Sequence, residues 1–301
     1  MYQVLTDRDI ENLGSMKMII EAITRSFEEQ SNGTLISPPR FRIETDLGDL
    51  VFTAGAATAL DKVIGFRVYE TYKNDVDGHG QIVCVFDSEN GVFKGIIIGN
   101  LLGALRTGAI GGVAINELSR MDAEQIAVIG TGLQARTQLE AAVAVAVAVA
   151  VAVAVAVRNI KNIRVYSRSH DNRETFAQEM SKKLNTDILP VTSSRDCIEG
   201  ADIVICATNS VTPVFEIDGL KPGAHINTVG SKSARKHEIP FELAAVSSVI
   251  ANDSIEQLRA YQTPHFLVGT PDESRVVQLS EIVTGRVSGR RAAGMSLCFA
   301  L

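Results

Sequence analysis

The stretch that most constrains the fold is Ile126-Ala127-Val128-Ile129-Gly130-Thr131-Gly132-Leu133-Gln134-Ala135. An apolar run that ends in G-x-G-x-x-A reads as a strand, a tight turn and a helix. Apolar residues without alternation suit a strand covered on both faces, as in a parallel sheet. Gly130 permits the turn, Gly132 lets the backbone approach a pyrophosphate, and Ala135 lets the helix pack closely on the strand. The helix N-terminus then faces the anion. The pattern predicts a dinucleotide site at Gly130, Thr131, Gly132, Leu133 and Gln134. The plainer alternative is a structural turn.

In such a unit the next strand ends about 20 positions beyond the turn. Here it ends much later, at Tyr166-Ser167-Arg168-Ser169, because Ala-Val pairs repeat from Ala142 to Val157. Removing about six of the pairs restores the usual spacing. The run is shorter than the roughly 20 residues of a membrane span. Alanine favours helix and valine opposes it only slightly, so the helix after Gly132 is expected to continue through the run as a projecting rod. Exposed apolar surface on that rod favours aggregation. No Asp or Glu ends the second strand to accept from a ribose 2′-hydroxyl. Ser167, Arg168 and Ser169 instead suit a 2′-phosphate, with Arg168 as the charged partner. NADP(H) is favoured, NAD(H) stays open, and the plain alternative for Arg168 is a solvated loop residue.

Further strands are predicted over Asn162–Ser167, Ala201–Thr208, Ala224–Gly230 and Ser248–Asn252, and alternating β and α segments predict a doubly wound parallel sheet. The N-terminal part has a different grammar. A strand at Tyr2–Leu5 precedes a helix capped by Ser15, with Met16, Ile19, Ile20, Ile23 and Phe27 on one face. Asn32-Gly33 ends it. After Ser37-Pro38-Pro39-Arg40 come strands at Phe41–Glu44, Val63–Thr71 and Ile82–Asp87, and Ser88-Glu89-Asn90-Gly91 turns the last into Val92–Ile98. The fold class is therefore α/β, a Rossmann-type doubly wound parallel sheet plus an α+β domain with a mainly antiparallel sheet. The change falls near residues 112–122, in a helix.

Other signals exclude more than they assign. A net charge of −6 with no Lys/Arg run longer than two argues against nucleic acid as a partner. Four scattered cysteines, Cys84, Cys197, Cys206 and Cys298, without Cys-x-x-Cys argue for a reducing compartment and against a zinc site. The N-terminus lacks an apolar signal core, so a cytoplasmic location and no membrane partner are expected. The histidines show no metal-ligand spacing. His237-Glu238 reads as a loop.

Several motifs carry a family resemblance: Leu105-Arg106-Thr107-Gly108-Ala109, the Gly130–Ala135 turn, Val165-Tyr166-Ser167-Arg168, Ala201-Asp202-Ile203-Val204 and Ile226-Asn227-Thr228-Val229-Gly230-Ser231. In order and spacing, the repeat aside, the chain resembles the ornithine cyclodeaminase/mu-crystallin family along nearly its whole length. The resemblance implies a Rossmann NAD(P)-binding domain over 116–277. It implies a substrate and dimerisation domain over 1–115, completed by about 278–301 with a further helix beyond, and a homodimer acting on a small imino or amino acid. It places Arg106 and Arg42 on the substrate carboxylate, where a planar guanidinium can bind in bidentate fashion. Thr107 then lies near the cofactor phosphates, with Ala207, Thr208, Val229, Gly230 and Ser231 also on the cofactor.

Two departures narrow the chemistry that the resemblance implies. Gly65-Phe66-Arg67 stands where cyclodeaminases resemble Gly-x-Lys, and arginine stays protonated and is a poor general acid or base. Lys232 stands where cyclodeaminases carry an Asp. Ornithine cyclisation is disfavoured. Reduction of a cyclic imino acid of the ketimine or Δ1-pyrroline-2-carboxylate type is favoured, with Arg42, Arg67 and Arg106 as the catalytic and substrate-binding residues. An alanine or opine-type amino-acid dehydrogenase is the near alternative, and Lys73, His79 and Lys232 are its candidate bases, each otherwise structural or solvated. A mu-crystallin-like ligand-binding protein without turnover is the alternative of another class.

Overall fold

The first elements form where polar side chains satisfy exposed helix ends. The computed structural model describes residues 2–72, 80–152, 159–260, 263–289 and 296–300, with backbone alone for 147–152 and 296–300. It divides into two units, Met1–Arg106 and Thr107–Leu301. In the first, β1 (Gln3–Thr6) runs into α1 (Asp7–Leu13) through a capping box between Thr6 and Asp9. Ser15 caps α2 (Met16–Ser31), its hydroxyl accepting from the Met18 N–H at 3.3 Å.

The strands β2 (Leu35–Ile36), β3 (Phe41–Glu44), β4 (Asp49–Ala57), β5 (Val63–Glu70), β6 (Ile82–Asp87) and β7 (Phe93–Ile98) follow. They form one sheet in the order β1-β7-β6-β5-β4-β2, with β3 also on β4. All pairs are antiparallel except β1 with β7. The expected hairpin joins β6 to β7: Asp87 accepts from the N–H groups of Glu89 and Asn90, and Gly91 takes a φ of 73°. Strand β4 was not expected. Its Thr53-Ala54-Gly55-Ala56-Ala57 half has little intrinsic strand preference, and pairing with β5 from Leu50 to Ala57 holds it extended.

Register sorts this sheet into two faces. Val51, Thr53, Arg67, Tyr69 and Val83 share one. The other presents Val4, Phe41, Ile43, Leu50, Ile64, Phe66, Ile82 and Ile98, all exposed. On that face Phe41 stacks on Phe52 at 4.9 Å.

The helix α3 (Leu101–Leu118) contains the division between the units, which falls earlier than the predicted 112–122. Asp7 accepts from Asn100 and Leu101 N–H groups, each at 2.9 Å, at the start of this helix. The second unit continues with β8 (Gln125–Ile129), α4 (Leu133–Ala152), β9 (Asn162–Tyr166), α5 (His170–Leu184), β10 (Ile188–Pro190), α6 (Ser194–Ile198), β11 (Ile203–Cys206) and β12 (His225–Thr228). Then come β13 (Lys232–Ser233), β14 (Lys236–His237), α7 (Glu242–Val246), β15 (Ser247–Asn252), α8 (Ile255–Ala260), β16 (Val276–Gln278), α9 (Leu279–Val283) and β17 (Ser296–Ala300).

The large sheet has the order β10-β9-β8-β11-β12-β17-β15-β16, and its pairs are parallel. The residues of β11 and β12 are buried throughout, as a sheet covered on both faces requires. One expectation is corrected here. The C-terminal strand β17 inserts between β12 and β15 rather than completing the first unit, because its backbone groups find partners on both neighbours.

Helix α4 takes up the first part of the Ala-Val run. Ala135, Gln138, Leu139, Ala142, Val145 and Ala146 are buried at helical spacing. The first pairs therefore extend an ordinary packed stripe. The helix reaches Ala152, about 30 Å at 1.5 Å per residue. Residues 153–157 of the repeat lie outside the described residues. Among those described, no helix is long and apolar enough to cross a membrane. α4 also packs closely on α3, where a Cβ on Gly108 would come within 2.6 Å of the Thr137 carbonyl. Gln138 donates to the Thr107 carbonyl at 2.9 Å, and Asn227 of β12 donates to the Gly111 carbonyl at 3.0 Å and to Gln138 at 3.2 Å.

Each unit also buries a carboxylate. Burial raises the pKa of Glu29, but the N–H groups of Ala59, Leu60 and Asp61 outweigh it and hold the value below the ordinary 4.5. Burial acts likewise on Asp202, and Lys221 with the Glu124 and Gln125 N–H groups brings it below 3.8. Values lowered in the folded chain stabilise it fully above the ordinary range, and that stabilisation is lost as pH falls through the folded-state values. Urea unfolding should therefore show stability declining through the carboxylate range. Glu29→Gln should be less stable at neutral pH and lose less on acidification; an acid slope equal to the parent's would refute the role given to Glu29.

Candidate active site

The C-terminal ends of β8, β9 and β11 open a cleft of about 1100 Å³ in the second unit. It lies where the strand order reverses, between β8 and β11, as ligand crevices do in such sheets. Gly130 sits at its floor with a φ of 114°. Its N–H donates to the Tyr166 carbonyl at 2.9 Å, and a Cβ would strike the Ala207 carbonyl. Glycine is required there on both counts. Thr131 and Gly132 continue the wall, and α4 begins at Leu133.

Of the predicted cofactor residues, Gly130, Thr131, Gly132, Ser167, Arg168, Ser169, Ala207 and Thr208 line this cleft. Leu133 and Gln134 begin α4 without lining it, and Thr107 is held on α3 by Gln138. Val229, Gly230 and Ser231 follow β12, also off the lining. The lining adds residues the motif did not mark, including Arg136, Asn172, Thr175, Ser194, Asn209 and Ser210. The only charged side chains on it, among the described residues, are Arg136 and Arg168.

The two arginines differ in their support. Arg136 pairs with Glu179 at 2.6 Å and lies over the Phe176 ring. Arg168 is exposed and makes no ion pair among the described residues. Its loop is shaped from behind: Arg173 donates to the Ser167 carbonyl at 3.1 Å, and Ser169 caps α5 by accepting from the Asn172 N–H at 3.3 Å.

The first unit holds a second cluster. Half-buried Arg67 lies on β5, its guanidinium 4.4 Å from the centre of the Tyr69 ring, and Arg40 donates to the Tyr69 hydroxyl at 3.2 Å. Burial lowers the Arg67 pKa to about 10, and repulsion by Arg106 and, more weakly, Arg40 adds to this against the favourable pull of Tyr69. Arg67 thus stays charged at neutral pH. Its buried Nε has no hydrogen-bond partner among the described residues. Guanidiniums gathered this way leave a place for an anion.

The family resemblance places Arg42 with this cluster. Arg42 stands further along the same sheet face, opposite Val51, and its guanidinium is engaged by Asp49 at 3.1 Å. Arg40 belongs to the Pro-Pro turn in the sequence, yet its place two residues before Arg42 gives it the same facing.

Of the candidate bases, Lys73 and His79 lie outside the described residues. Lys232 is on β13 beside His265, whose pKa is lowered to about 3 by burial first and by Lys232 second. Glu238, read from the sequence as loop, is fully buried and accepts from Thr208, Thr228 and Gly230.

A doubly wound parallel sheet with a glycine turn at its switch point and a cleft beside it defines a Rossmann-type α/β protein. The sequence pattern of the ornithine cyclodeaminase/mu-crystallin family matches residues 2–299, and the chain belongs to that family. It is 28% identical over 303 residues to a Δ(1)-pyrroline-2-carboxylate reductase of Bacillus cereus, covering 96% of this chain and 88% of the relative. It is 27% identical over 285 residues to the ketimine reductase mu-crystallin of Rattus norvegicus, covering 91% and 84%. The structure of the Thermococcus litoralis Δ(1)-pyrroline-2-carboxylate reductase in complex with NADH and L-proline is similar with a TM-score of 0.85 and 31% identity, over 99% of this chain and 91% of that one.

Gly130→Ala tests the turn. The positive φ alone should destabilise the second unit by about 1–3 kcal/mol, with the clash against Ala207 adding to it. A thermal melt should show the loss and a titration should show no dinucleotide binding. Unaltered melting and binding would mean the turn is not built as described.

Proposed function

We propose that this chain reduces cyclic imino acids of the Δ1-pyrroline-2-carboxylate or ketimine type with a reduced nicotinamide dinucleotide, preferring NADPH. The observation that carries the reaction is Arg67: its guanidinium is half-buried and stays charged, and its buried Nε has no hydrogen-bond partner among the described residues, which suits a substrate carboxylate. The relatives support the same reading, since several proteins that this chain resembles are reductases of such imino acids.

The second-unit cleft fits the cofactor on its own features. Gly132, where a Cβ would meet nothing within 4 Å, leaves room for a backbone-hugging pyrophosphate, and Arg136 and Arg168 supply the only lining charge among the described residues. When bound, the reduced nicotinamide supplies hydride to the imine carbon. Arg67, Arg106 and Arg40 bind and orient the carboxylate, with Tyr69 buttressing two of them. An imine nitrogen can arrive already protonated, so the chain needs no strong side-chain acid. Arg67 would serve poorly as one. Ser167, Arg168 and Ser169, with no acidic residue on the cleft lining among the described residues, favour a 2′-phosphate.

NADPH oxidation with Δ1-pyrroline-2-carboxylate tests this directly. Arg168→Ala should raise the KM for NADPH roughly tenfold or more and leave that for NADH nearly unchanged. Arg40→Met should raise the KM for the imino acid roughly ten- to hundredfold, and Arg42→Met should change it little. Cofactor binding without turnover on any cyclic imino acid would instead favour a non-catalytic binding protein.

A homodimer is also proposed, formed through the apolar face of the first unit's sheet. Val4, Phe41, Ile43, Leu50, Ile64, Phe66, Ile82 and Ile98 are exposed together on that face. Contiguous apolar surface on this scale is uncommon on monomers, and a two-fold axis lets one apolar face cover its own copy. Sedimentation should give a dimer, and Phe66→Asp at the centre of the face should give a monomer. A Phe66→Asp chain that remains dimeric would place the interface elsewhere.

A further inference from the structure

The buried carboxylate of Glu238 takes no part in the chemistry described so far. It lies just beyond β14 and is 0% exposed. Its Oε2 accepts from the Thr208 N–H at 2.8 Å and from the Thr208 hydroxyl at 2.7 Å. Its Oε1 accepts from the Thr228 hydroxyl at 2.7 Å and from the Gly230 N–H at 2.6 Å. All four partners are neutral, and they belong to the segments that leave β11 and β12. A side chain on Gly230 would collide with this carboxylate, so the pair share one closely filled space.

The consequences reach the cleft wall. Because the Thr208 hydroxyl gives its proton to Glu238, its oxygen is free to accept from the Ser210 N–H, at 3.1 Å. Thr208 and Ser210 both line the cleft. The Glu238 carbonyl accepts from the N–H of Val214, another lining residue, at 2.9 Å. One residue thus sets the positions of three stretches on the β11 side. In a doubly wound sheet the first half takes the adenosine end of a dinucleotide, and the half that begins at β11 takes the nicotinamide end.

We infer that Glu238 is a positioning residue for the nicotinamide half of the cofactor, acting through Thr208 and the segment after β12. The inference rests on the proposed dinucleotide reading of the cleft. The requirement is for two acceptor atoms. A glutamine has one acceptor oxygen and one donor NH2, which would face Thr208 or Gly230, whose backbone N–H cannot turn away.

The test compares binding of NADPH with binding of 2′,5′-ADP, which carries only the adenosine half. Glu238→Gln should raise the Kd for NADPH roughly ten- to hundredfold and leave the Kd for 2′,5′-ADP unchanged. Thr228→Val, isosteric and off the cleft lining, should shift NADPH binding in the same direction by less, and it carries the test if Glu238→Gln does not fold. Equal losses for NADPH and 2′,5′-ADP would show a merely structural role and overturn the proposal. So would variants that bind NADPH as the parent does. A parent chain that binds neither NADPH nor NADH would overturn the dinucleotide reading itself, and this inference with it.

Discussion

Gly130 stands where three backbones converge, and much of the second unit follows from that convergence. Its N–H is held by Tyr166 at the end of β9, and its Cα faces the Ala207 carbonyl at the end of β11 with no room for a side chain. This ends β8, turns the chain with a φ of 114° and starts α4 with its N-terminus toward the crevice. The loops that follow β9 and β11 are then spread to either side, where Arg173 and Glu238 brace them from behind. A cleft whose only charged lining side chains, among the described residues, are arginines is the outcome.

Acidic and basic groups are treated differently in this chain. Glu29, Asp202 and Glu238 are buried, yet each accepts several hydrogen bonds, largely from backbone N–H groups. Their desolvation is thereby offset, and they tie loops to strands. Arg67 is partly buried with repelling guanidiniums as its strongest charged neighbours, and its pKa falls to about 10. Folding alone does not call for such an arrangement, and an anionic ligand would relieve it. These acidic groups hold the scaffold together, whereas Arg67 keeps a buried Nε without a hydrogen-bond partner among the described residues.

Legibility followed the range of the interactions. The Ser15 cap, the turn at Asn90-Gly91 and the strand-turn-helix at Gly130 were readable because a few adjacent residues decide them. Strand β4 was not, since its small residues take their extended form from β5. Arg40 and Arg42 are equivalent by alternation, and only the pairing of strands sets Arg42 against Asp49 and Arg40 against Tyr69. Glu238 carried no signal as one acidic residue in a short loop, because Thr208 is 30 positions away in the chain.

The sequence alone therefore determined the local grammar: a glycine turn after an apolar strand, a hairpin, a helix long enough to absorb the first Ala-Val pairs, and an arginine where an acid would read a ribose. These rest on conformational preference and periodicity, which act over a few residues. Tertiary structure decided which arginines share a face with Tyr69, where Glu238 is buried, and that β17 inserts between β12 and β15. Those outcomes depend on strand order and register, which are set by pairing between residues distant in the chain and leave no mark in any short stretch of it.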